Sequence, residues 1–413
     1  MTTIVTEALW PFDNNTIEVY GTGFDGSPVG NPAYTVSLFG FSAAISLLRS
    51  SNQYVSIASV VPFNSTSFTI EAWIRPFLLT NAYYGIFGQC EASVKNLCLY
   101  FTVKNRKVYC GFYNNDTMGS TPLAMSFWIH VACVYSVATG ALQVWVNGVL
   151  DRIRLVSPYL GVSEAALIGA ISYNSTVYSF NGYIDEVRYT QRAKSAAEIL
   201  NDATLTLYYS FDGGSTMDNG PNGINASSYG NVSTVTGVVN EALQFEPVSY
   251  LYYTYANAPL YFLRLGNYDF TIALWAKATG SLAASSLVFI YNGWCVHFLT
   301  TTMCGQLNAN IWNGTNITSY GPILTLDTWT HVGYTYSYPN GIRLYINGSL
   351  YSTTGIVSFV TSTTPLYMKI GGTDPSTFHC SPYYGGQFNG ALDEFHLYNR
   401  ELTASEIFDL ANR

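Results

Sequence analysis

Short apolar or alternating segments follow one another along the whole chain, separated by Gly, Asn, Pro and Ser. Residues 144–149, for example, read as a strand that runs into Asn147-Gly148, a dipeptide favoured in two-residue hairpin turns. Helical patterns are rare, and we expect only residues 195–200 and 403–408 to be helical. Each begins with Ser or Thr followed three residues later by Glu, which is a capping box. Many short strands with so little helix predict an all-β sandwich or jelly roll.

The chain repeats itself once at an offset of about two hundred residues. Four motifs recur in the same order: Phe-Thr-Ile-x-x-Trp at 68–73 and 270–275, Trp-x-His-Val at 128–131 and 329–332, a strand ending in Asn-Gly at 144–148 and 344–348, and Phe-Asn-Gly-x-Ile/Leu-Asp-Glu at 180–186 and 388–394. A repeat of this length is a domain rather than a solenoid unit. We therefore predict two domains, residues 1–203 and 204–413, joined without a flexible linker.

These motifs resemble the LamG-like jelly-roll domains of the concanavalin A-like superfamily, a group that includes pentraxin-type domains. Further matching features are an early Phe-Asp, at Phe12-Asp13 and Phe211-Asp212, and Arg192 or Arg400 before the capped helix. The resemblance implies two tandem concanavalin A-like/LamG jelly-roll β-sandwiches, each built from two antiparallel sheets. It also implies an extracellular setting and a role in binding glycans, proteins or surfaces, but no single ligand, because function lies in the loops rather than in the fold.

Composition narrows the class of partner. Charged residues make up 10% of the chain and its net charge is −8, whereas about 25% is usual for soluble proteins. There is no dense Lys/Arg run, so we expect no nucleic-acid partner, and no apolar stretch is long enough for membrane insertion. The first ten residues lack the features of a signal peptide. We expect a secreted protein whose signal was removed or lies upstream.

The chain has seven cysteines, and Cys98 and Cys110 align with Cys295 and Cys304 in the second repeat. This alignment predicts the disulfides Cys98–Cys110, Cys295–Cys304 and Cys90–Cys133. Cys380 is left over, and an odd cysteine in a secreted chain is either free or forms an intermolecular bond. The alternative is that all seven are reduced and buried.

N-glycosylation sequons are numerous, and most fall in predicted turns, where an acceptor is exposed. The candidate acceptors are Asn14, Asn64, Asn115, Asn174, Asn225, Asn231, Asn313, Asn316 and Asn347. Asn347 also belongs to an Asn-Gly turn, which gives it a purely structural explanation.

Carboxylates offer one candidate cation site. Asp212, Asp218 and Asp393 could converge with loop carbonyls on Ca²⁺, which needs several oxygen ligands. In the alternative interpretation, which we favour, the Asp185-Glu186 and Asp393-Glu394 pairs anchor backbone amides, since few other acids are near enough to complete a coordination shell.

Catalysis is not expected. Glycoside hydrolysis needs two carboxylates across a cleft, whereas the adjacent acids Asp185 and Glu186 should point to opposite faces of a strand. His130 and His331 recur without a Ser or Cys nucleophile motif, and a histidine inside an apolar strand is more often a core residue.

Two functions remain, with glycoside hydrolase a distant third. The first is a non-catalytic adhesion or lectin-like protein that binds glycans or matrix and surface proteins. The second is a structural subunit that self-assembles into a glycosylated extracellular filament or coat. Tyrosine clusters at 83–84, 250–255 and 383–384 suit core packing, sugar stacking or protein contacts. The family resemblance favours binding, whereas low charge and Cys380 favour assembly.

Overall fold

The computed structural model describes residues 6–38, 40, 42–246, 249–253, 266–291, 295–360, 367–372 and 386–412. Spatial contacts divide the chain into two compact units, one ending at Ala203 and the other beginning its main segment at Thr204. They are called unit 1 and unit 2 below. Both consist mainly of antiparallel sheets, which confirms the all-β class and the sandwich architecture.

Unit 1 contains two large sheets and one hairpin. Its strands are β1 (Glu7–Trp10), β2 (Gly26–Val29), β3 (Ala33–Val36), β4 (Ala43–Leu47), β5 (Tyr54–Ile57), β6 (Phe68–Pro76), β7 (Tyr83–Cys90), β8 (Cys98–Lys104), β9 (Lys107–Gly111), β10 (Asp116–Met118), β11 (Ile129–Ser136), β12 (Ala141–Val146), β13 (Val149–Leu155), β14 (Ala166–Ile168), β15 (Ala170–Tyr173), β16 (Thr176–Ser179) and β17 (Gly182–Thr190), followed by helix α1 (Ala196–Thr204).

The strand order of one large sheet is β13-β12-β11-β6-β17-β4-β3, with β1 also paired to β17. The order of the other is β10-β9-β8-β7-β14-β5-β2, and β15 pairs with β16. Apolar side chains from both sheets form one continuous core, to which Ile70, Phe101 and Val144 belong. Thus β10 and β13 are edge strands of facing sheets.

Unit 2 repeats this plan. Its elements are β18 (Leu205–Tyr209), β19 (Ala226–Tyr229), β20 (Val232–Thr236), β21 (Glu241–Phe245), β22 (Tyr250–Tyr253), β23 (Phe270–Ala278), β24 (Ser286–Tyr291), β25 (Cys295–Thr301), β26 (Gln306–Trp312), β27 (Asn316–Ile323), β28 (Thr330–Ser337), β29 (Gly341–Ile346), β30 (Ser349–Thr353), β31 (Tyr367–Ile370), β32 (Gly390–Tyr398) and α2 (Ala404–Leu410). The sheet orders are β20-β21-β32-β23-β28-β29-β30, with β18 beside β32, and β19-β22-β31-β24-β25-β26-β27.

Local signals in the sequence are realised at the hairpin and helix ends. Asn147 and Gly148 have φ values of 49° and 76° between β12 and β13, the left-handed conformation that a type I′ turn requires. Both predicted capping boxes form. In α2 the Thr403 hydroxyl accepts from the Glu406 N–H, and the Glu406 carboxylate accepts from the Thr403 N–H. In α1, Ser195 and Glu198 make the same two bonds.

The predicted pairing of Cys98 with Cys110 and of Cys90 with Cys133 is wrong. The structure joins Cys90 to Cys98 and Cys110 to Cys133. Cys90 and Cys98 lie directly opposite each other on β7 and β8. Cys98 lies in a cluster on the outer face of its sheet, whereas Cys110 belongs to the inner core. Side chains on opposite faces of a sheet cannot be linked without moving the backbone.

The predicted equivalence of Cys110 and Cys304 is wrong, because the two cysteines occupy different structural positions. Cys110 lies within β9, but Cys304 lies in the turn before β26, where it is free and exposed. The predicted Cys295–Cys304 bond is therefore not formed, and the side chain of Cys295 is not described. At the motif position of Cys133, unit 2 has Tyr334, whose hydroxyl donates to the Asn310 carbonyl at 2.8 Å. A hydrogen bond thus joins the two sheets of unit 2 where a disulfide joins those of unit 1.

The inter-sheet disulfide predicts a unit-specific loss of stability. Replacing Cys110 and Cys133 by Ser should lower the free energy of unfolding of unit 1 by about 3 kcal/mol, because the unfolded loop is no longer closed. Differential scanning calorimetry should show one lowered transition and one unchanged transition. The matched Cys90→Ser/Cys98→Ser variant lacks a disulfide that closes a shorter loop, so its free energy of unfolding should fall by less. Peptide mapping that recovered a Cys98–Cys110 link would contradict the assignment.

Candidate functional site: an aromatic layer and edge groove of unit 1

Tyrosines cover the outer face of the second sheet of unit 1. Side chains on a strand alternate between faces, so β8 and β9 place Phe101 and Val108 in the core and Tyr100 and Tyr109 outside it. The β15–β16 hairpin packs over this face through Ile171. We call the set the tyrosine layer: Tyr83, Tyr100, Tyr109, Tyr113, Tyr173 and Tyr178.

The rings of the tyrosine layer are in mutual contact. Tyr100 and Tyr109 are stacked with centroids 5.5 Å apart, and Tyr83 lies 5.1 Å from Tyr173. The Lys104 ammonium lies 4.3 Å from the centre of the Tyr83 ring and donates to its hydroxyl at 2.7 Å. Such contacts fix ring orientation, which is what a platform for planar or apolar ligand faces requires.

Asp116 on β10 anchors the edge of the tyrosine layer. One carboxylate oxygen accepts from the Tyr100 hydroxyl, and the other accepts from the Tyr109 hydroxyl at 2.8 Å. Burial, reinforced by the Asp116 carboxylate, raises the pKa of both tyrosines well above the ordinary value. Both phenols therefore remain protonated donors at physiological pH.

A groove of about 340 Å³ adjoins the tyrosine layer between edge strands β10 and β13. This volume lies within the ordinary range of small-ligand sites, roughly 300–1,000 Å³. The lining combines one aromatic ring, one carboxylate, two guanidinium groups and apolar side chains: Tyr109, Asp116, Thr117, Met118, Arg152, Ile153 and Arg154.

Hydrogen bonds tie the two edge strands together on either side of the groove. The Arg154 guanidinium donates to the Asp116 carbonyl at 2.7 Å. The Asp151 carboxylate accepts from the hydroxyls of Ser120 and Thr121 at 2.7 and 2.8 Å. Partial burial acts to raise the pKa of Asp151, but these hydrogen bonds outweigh it and hold the pKa below its ordinary value. The groove is thus preformed.

The equivalent edge of unit 2 has different residues. Arg152 pairs with Val144 in the β12–β13 register, and Ser352 pairs with Leu344 at the corresponding place on β29 and β30. The Ser352 hydroxyl lies 2.7 Å from that of Ser319 on β27. A hydrogen bond between two serine side chains thus joins β27 and β30 of unit 2 at the position where Arg152 lines the groove of unit 1.

The candidate calcium ligands are engaged by local hydrogen bonds. Asp218 accepts three N–H bonds of 2.8 to 2.9 Å from the main chain of Tyr208, Gly220 and Ile224.

Asp393 accepts from the amides of Val238, Val239 and Glu394 at 2.7, 3.1 and 2.9 Å. Burial raises the pKa of both Asp218 and Asp393 to about 6, although these bonds oppose the shift.

Asp212 accepts longer bonds, from the Asn240 amide at 3.3 Å and the Glu241 N–H at 3.4 Å. In the part of the chain that the structure describes, no three His, Cys, Asp or Glu side chains form a group that could hold a metal ion. Calcium binding through Asp212, Asp218 and Asp393 stays a prediction.

The other adjacent acids also contact backbone amides. Asp185 is buried and accepts from Glu186 N–H at 3.0 Å and Leu38 N–H at 3.4 Å. A bulge in β17 between Asp185 and Arg188 puts Glu186 at φ 47°. This anchoring geometry matches the structural interpretation of the Asp-Glu pairs.

The sequon asparagines differ in exposure. Asn115 is buried and donates to the Asn96 side chain, and the amide oxygens of Asn225 and Asn347 accept from main-chain N–H groups of Asp218 and His331. Exposed residues are Asn14, Asn174, Asn231, Asn316 and Asn347, and half-buried ones are Asn64, Asn225 and Asn313. Glycosylation at any of them stays a prediction. Cys380 and the tyrosines at 383–384 lie outside the described residues.

His130 belongs to a buried ionic cluster beneath helix α1. Its Nε2 atom lies 3.6 Å from the Glu71 carboxylate. Lys194 pairs with both Glu71 and Asp202, at 2.6 Å from the latter. Burial raises the pKa of Glu71 and lowers that of His130 to about 3.

In unit 2 the motif positions of Glu71, Lys194 and Asp202 hold apolar residues that belong to one core cluster: Ala273, Leu402 and Leu410. Because one repeat docks its helix with ions and the other without them, this cluster is a structural feature.

The two repeats both match the laminin G family model of the concanavalin A-like lectin/glucanases superfamily, over residues 49–200 and 252–408. These matches cover most of the chain, so the chain belongs to this family. Comparison with curated proteins found no match. No helix among the described residues is long and apolar enough to cross a membrane.

Comparison with solved structures found matches of low identity and low TM-score. Domain 4 of AbnA, an extracellular arabinanase of Geobacillus stearothermophilus, has 20% identity and a TM-score of 0.36, with 50% of this chain and 98% of that chain covered. Mouse laminin α1 domains LG4-5 have 14% identity and a TM-score of 0.30, covering 84% and 87%. A pentraxin of Limulus polyphemus has 17% identity and a TM-score of 0.26, covering 35% and 70%.

Sequence reasoning missed the groove. The predicted tyrosine clusters include Tyr83, whereas Tyr100, Tyr109, Asp116 and Arg152 are not among the predicted site residues. The alternation Arg152-Ile153-Arg154 on a strand after an Asn-Gly turn was the available signal, because alternation puts both arginines on one face.

The buried cluster predicts opposing pH effects on unit 1. Because the pKa of Glu71 is raised on folding, this residue contributes stability that is fully present below pH 4.5 and is lost as the pH rises through the raised pKa. Because the pKa of His130 is lowered on folding, this residue contributes stability that is present above pH 6.5 and is lost as the pH falls toward its pKa of about 3. Glu71→Gln removes only the first contribution. The melting temperature of this variant should therefore rise more steeply with pH between 4.5 and 6.5 than that of the wild type.

Calorimetry at matched ionic strength measures this slope. Asp218→Asn in unit 2 is the control, and it should leave the slope of the unit 1 transition unchanged. Parallel slopes for wild type and Glu71→Gln would contradict the assignment.

Proposed function

We propose that this chain is a non-catalytic extracellular binding protein and that unit 1 binds glycans in the groove between β10 and β13. The observation that carries the proposal is the convergence of an oriented Tyr109 ring with Asp116 and Arg152 in one preformed groove. Sugars present an apolar face that stacks on aromatic rings and hydroxyls that pair with carboxylate and guanidinium groups.

Binding without hydrolysis fits the distribution of acids. Asp116 is the one carboxylate in the groove lining, and phenols occupy both of its oxygens. A glycosidase needs a second carboxylate across the bond that is broken. Two disulfides also suit the oxidising conditions outside the cell.

A glycan array probed with the full chain tests the proposal. Tyr109→Ala should weaken binding about ten-fold, because it removes the stacking surface in the groove. Tyr338→Ala, at an exposed tyrosine of unit 2, is the matched control and should bind like the wild type. Circular dichroism must show both variants folded. Equal binding by a folded Tyr109→Ala variant would contradict the assigned site, and an array without any bound glycan would contradict the function.

Self-assembly is the second candidate, and edge strand β13 favours it. Its exposed apolar side chains are Val149, Leu150, Ile153 and Leu155. Leu155 is 73% exposed. An exposed apolar edge strand is a template for pairing with another chain.

If β13 mediates assembly, the wild type should form concentration-dependent oligomers that Ile153→Lys reduces to monomers, because a charged edge resists pairing. Light scattering measures the mass. Ile17→Lys, at another exposed isoleucine of unit 1, is the control. A wild type that is monomeric at every concentration would exclude assembly through β13.

A further inference from the structure

The guanidinium groups that line the groove form no ion pair with a carboxylate among the residues that the structure describes. Arg152 lines the groove, is exposed, and makes no ion pair within the described part of the chain. Arg154 also lines the groove, and its guanidinium donates to the main-chain carbonyl of Asp116 rather than to a carboxylate.

The acids nearby are already used. The Asp116 carboxylate accepts from Tyr100 and Tyr109, and Asp151 accepts from Ser120 and Thr121. None of these four donors is a cation, and neither acid forms an ion pair with Arg152 in the described part of the chain, so the guanidinium donors of Arg152 are open to a ligand. Guanidinium groups bind planar carboxylates and sulfates through two parallel hydrogen bonds.

Unit 2 provides an internal comparison. Ser352 corresponds to Arg152 in register, and it bonds to Ser319 on the neighbouring edge. Thr354, two residues further, bonds to the Ile342 amide. The repeat that lacks the arginines thus uses the same positions for internal hydrogen bonds, which indicates that Arg152 and Arg154 are not required to close the sandwich edge.

We propose that the groove of unit 1 recognises an acidic saccharide, with its carboxylate or sulfate on Arg152 and a sugar face against Tyr109. This inference rests on the proposed glycan-binding function and specifies its ligand class. Arg152 selects for the anion, whereas Tyr109 contributes to the binding of any saccharide in the groove. Charge and stacking can therefore be separated by mutation.

The experiment measures binding of the full chain to three soluble probes by isothermal titration calorimetry. The probes are a heparin-derived sulfated hexasaccharide, hexagalacturonate as the carboxylate arm, and maltohexaose as the neutral arm. We expect at least one acidic probe to bind at least ten-fold more tightly than maltohexaose. Arg152→Gln should remove most of that difference, because a charge-assisted bond is lost, and Arg152→Lys should keep part of it. Higher salt should weaken acidic binding only.

Lys95→Gln is the matched control, since Lys95 is exposed and does not line the groove. It should bind every probe like the wild type. Equal binding of neutral and acidic probes, unaffected by Arg152→Gln, would overturn the acidic ligand class and leave glycan binding standing. Failure of all three probes, together with an array without bound glycans, would overturn both. Equal losses in Lys95→Gln and Arg152→Gln would reduce the effect to general charge and overturn the assigned role of Arg152.

Discussion

The alternation of side chains along β9 is the constraint on which the rest of unit 1 depends. Val108 and Cys110 point into the core, and Cys110 crosses it to Cys133 on the facing sheet. The residue between them, Tyr109, must then point outward, where it joins the tyrosine layer and lines the groove. Shifting the register by one residue would exchange these faces, losing the core contact, the disulfide and the groove together.

The two units share one scaffold and differ at its edges. Both units keep the capped helix, and in both Thr69 or Thr271 accepts from the amide of Lys194 or Leu402 beneath it. The helix is docked over an ionic cluster in unit 1 and over apolar side chains in unit 2. The facing sheets are linked by Cys110–Cys133 in one and by the Tyr334 hydroxyl in the other. Different interactions therefore stabilise the same fold in the two units. Arginines line the groove of unit 1, whereas Ser352 occupies the position of Arg152 in unit 2.

The sequence predicts features that depend on near neighbours. Capping boxes and the Asn147-Gly148 turn follow from a few adjacent residues, and the motif order gave the repeat and the fold. Disulfide partners and the groove depend on which strands become neighbours and on which face each side chain lies. Cys110 and Cys133 are separated by 23 residues and belong to different sheets. Asp116 and Arg152 line the same groove because β10 and β13 are both edge strands, and no local sequence pattern predicts which strands become edges.

The most direct test of this account is a crystal structure of the full chain soaked with the acidic oligosaccharide that binds most tightly. We expect density in the groove between β10 and β13, with a sugar ring against Tyr109 and an acidic group within hydrogen-bond distance of Arg152. Ordered saccharide at another surface, with the groove empty, would contradict it.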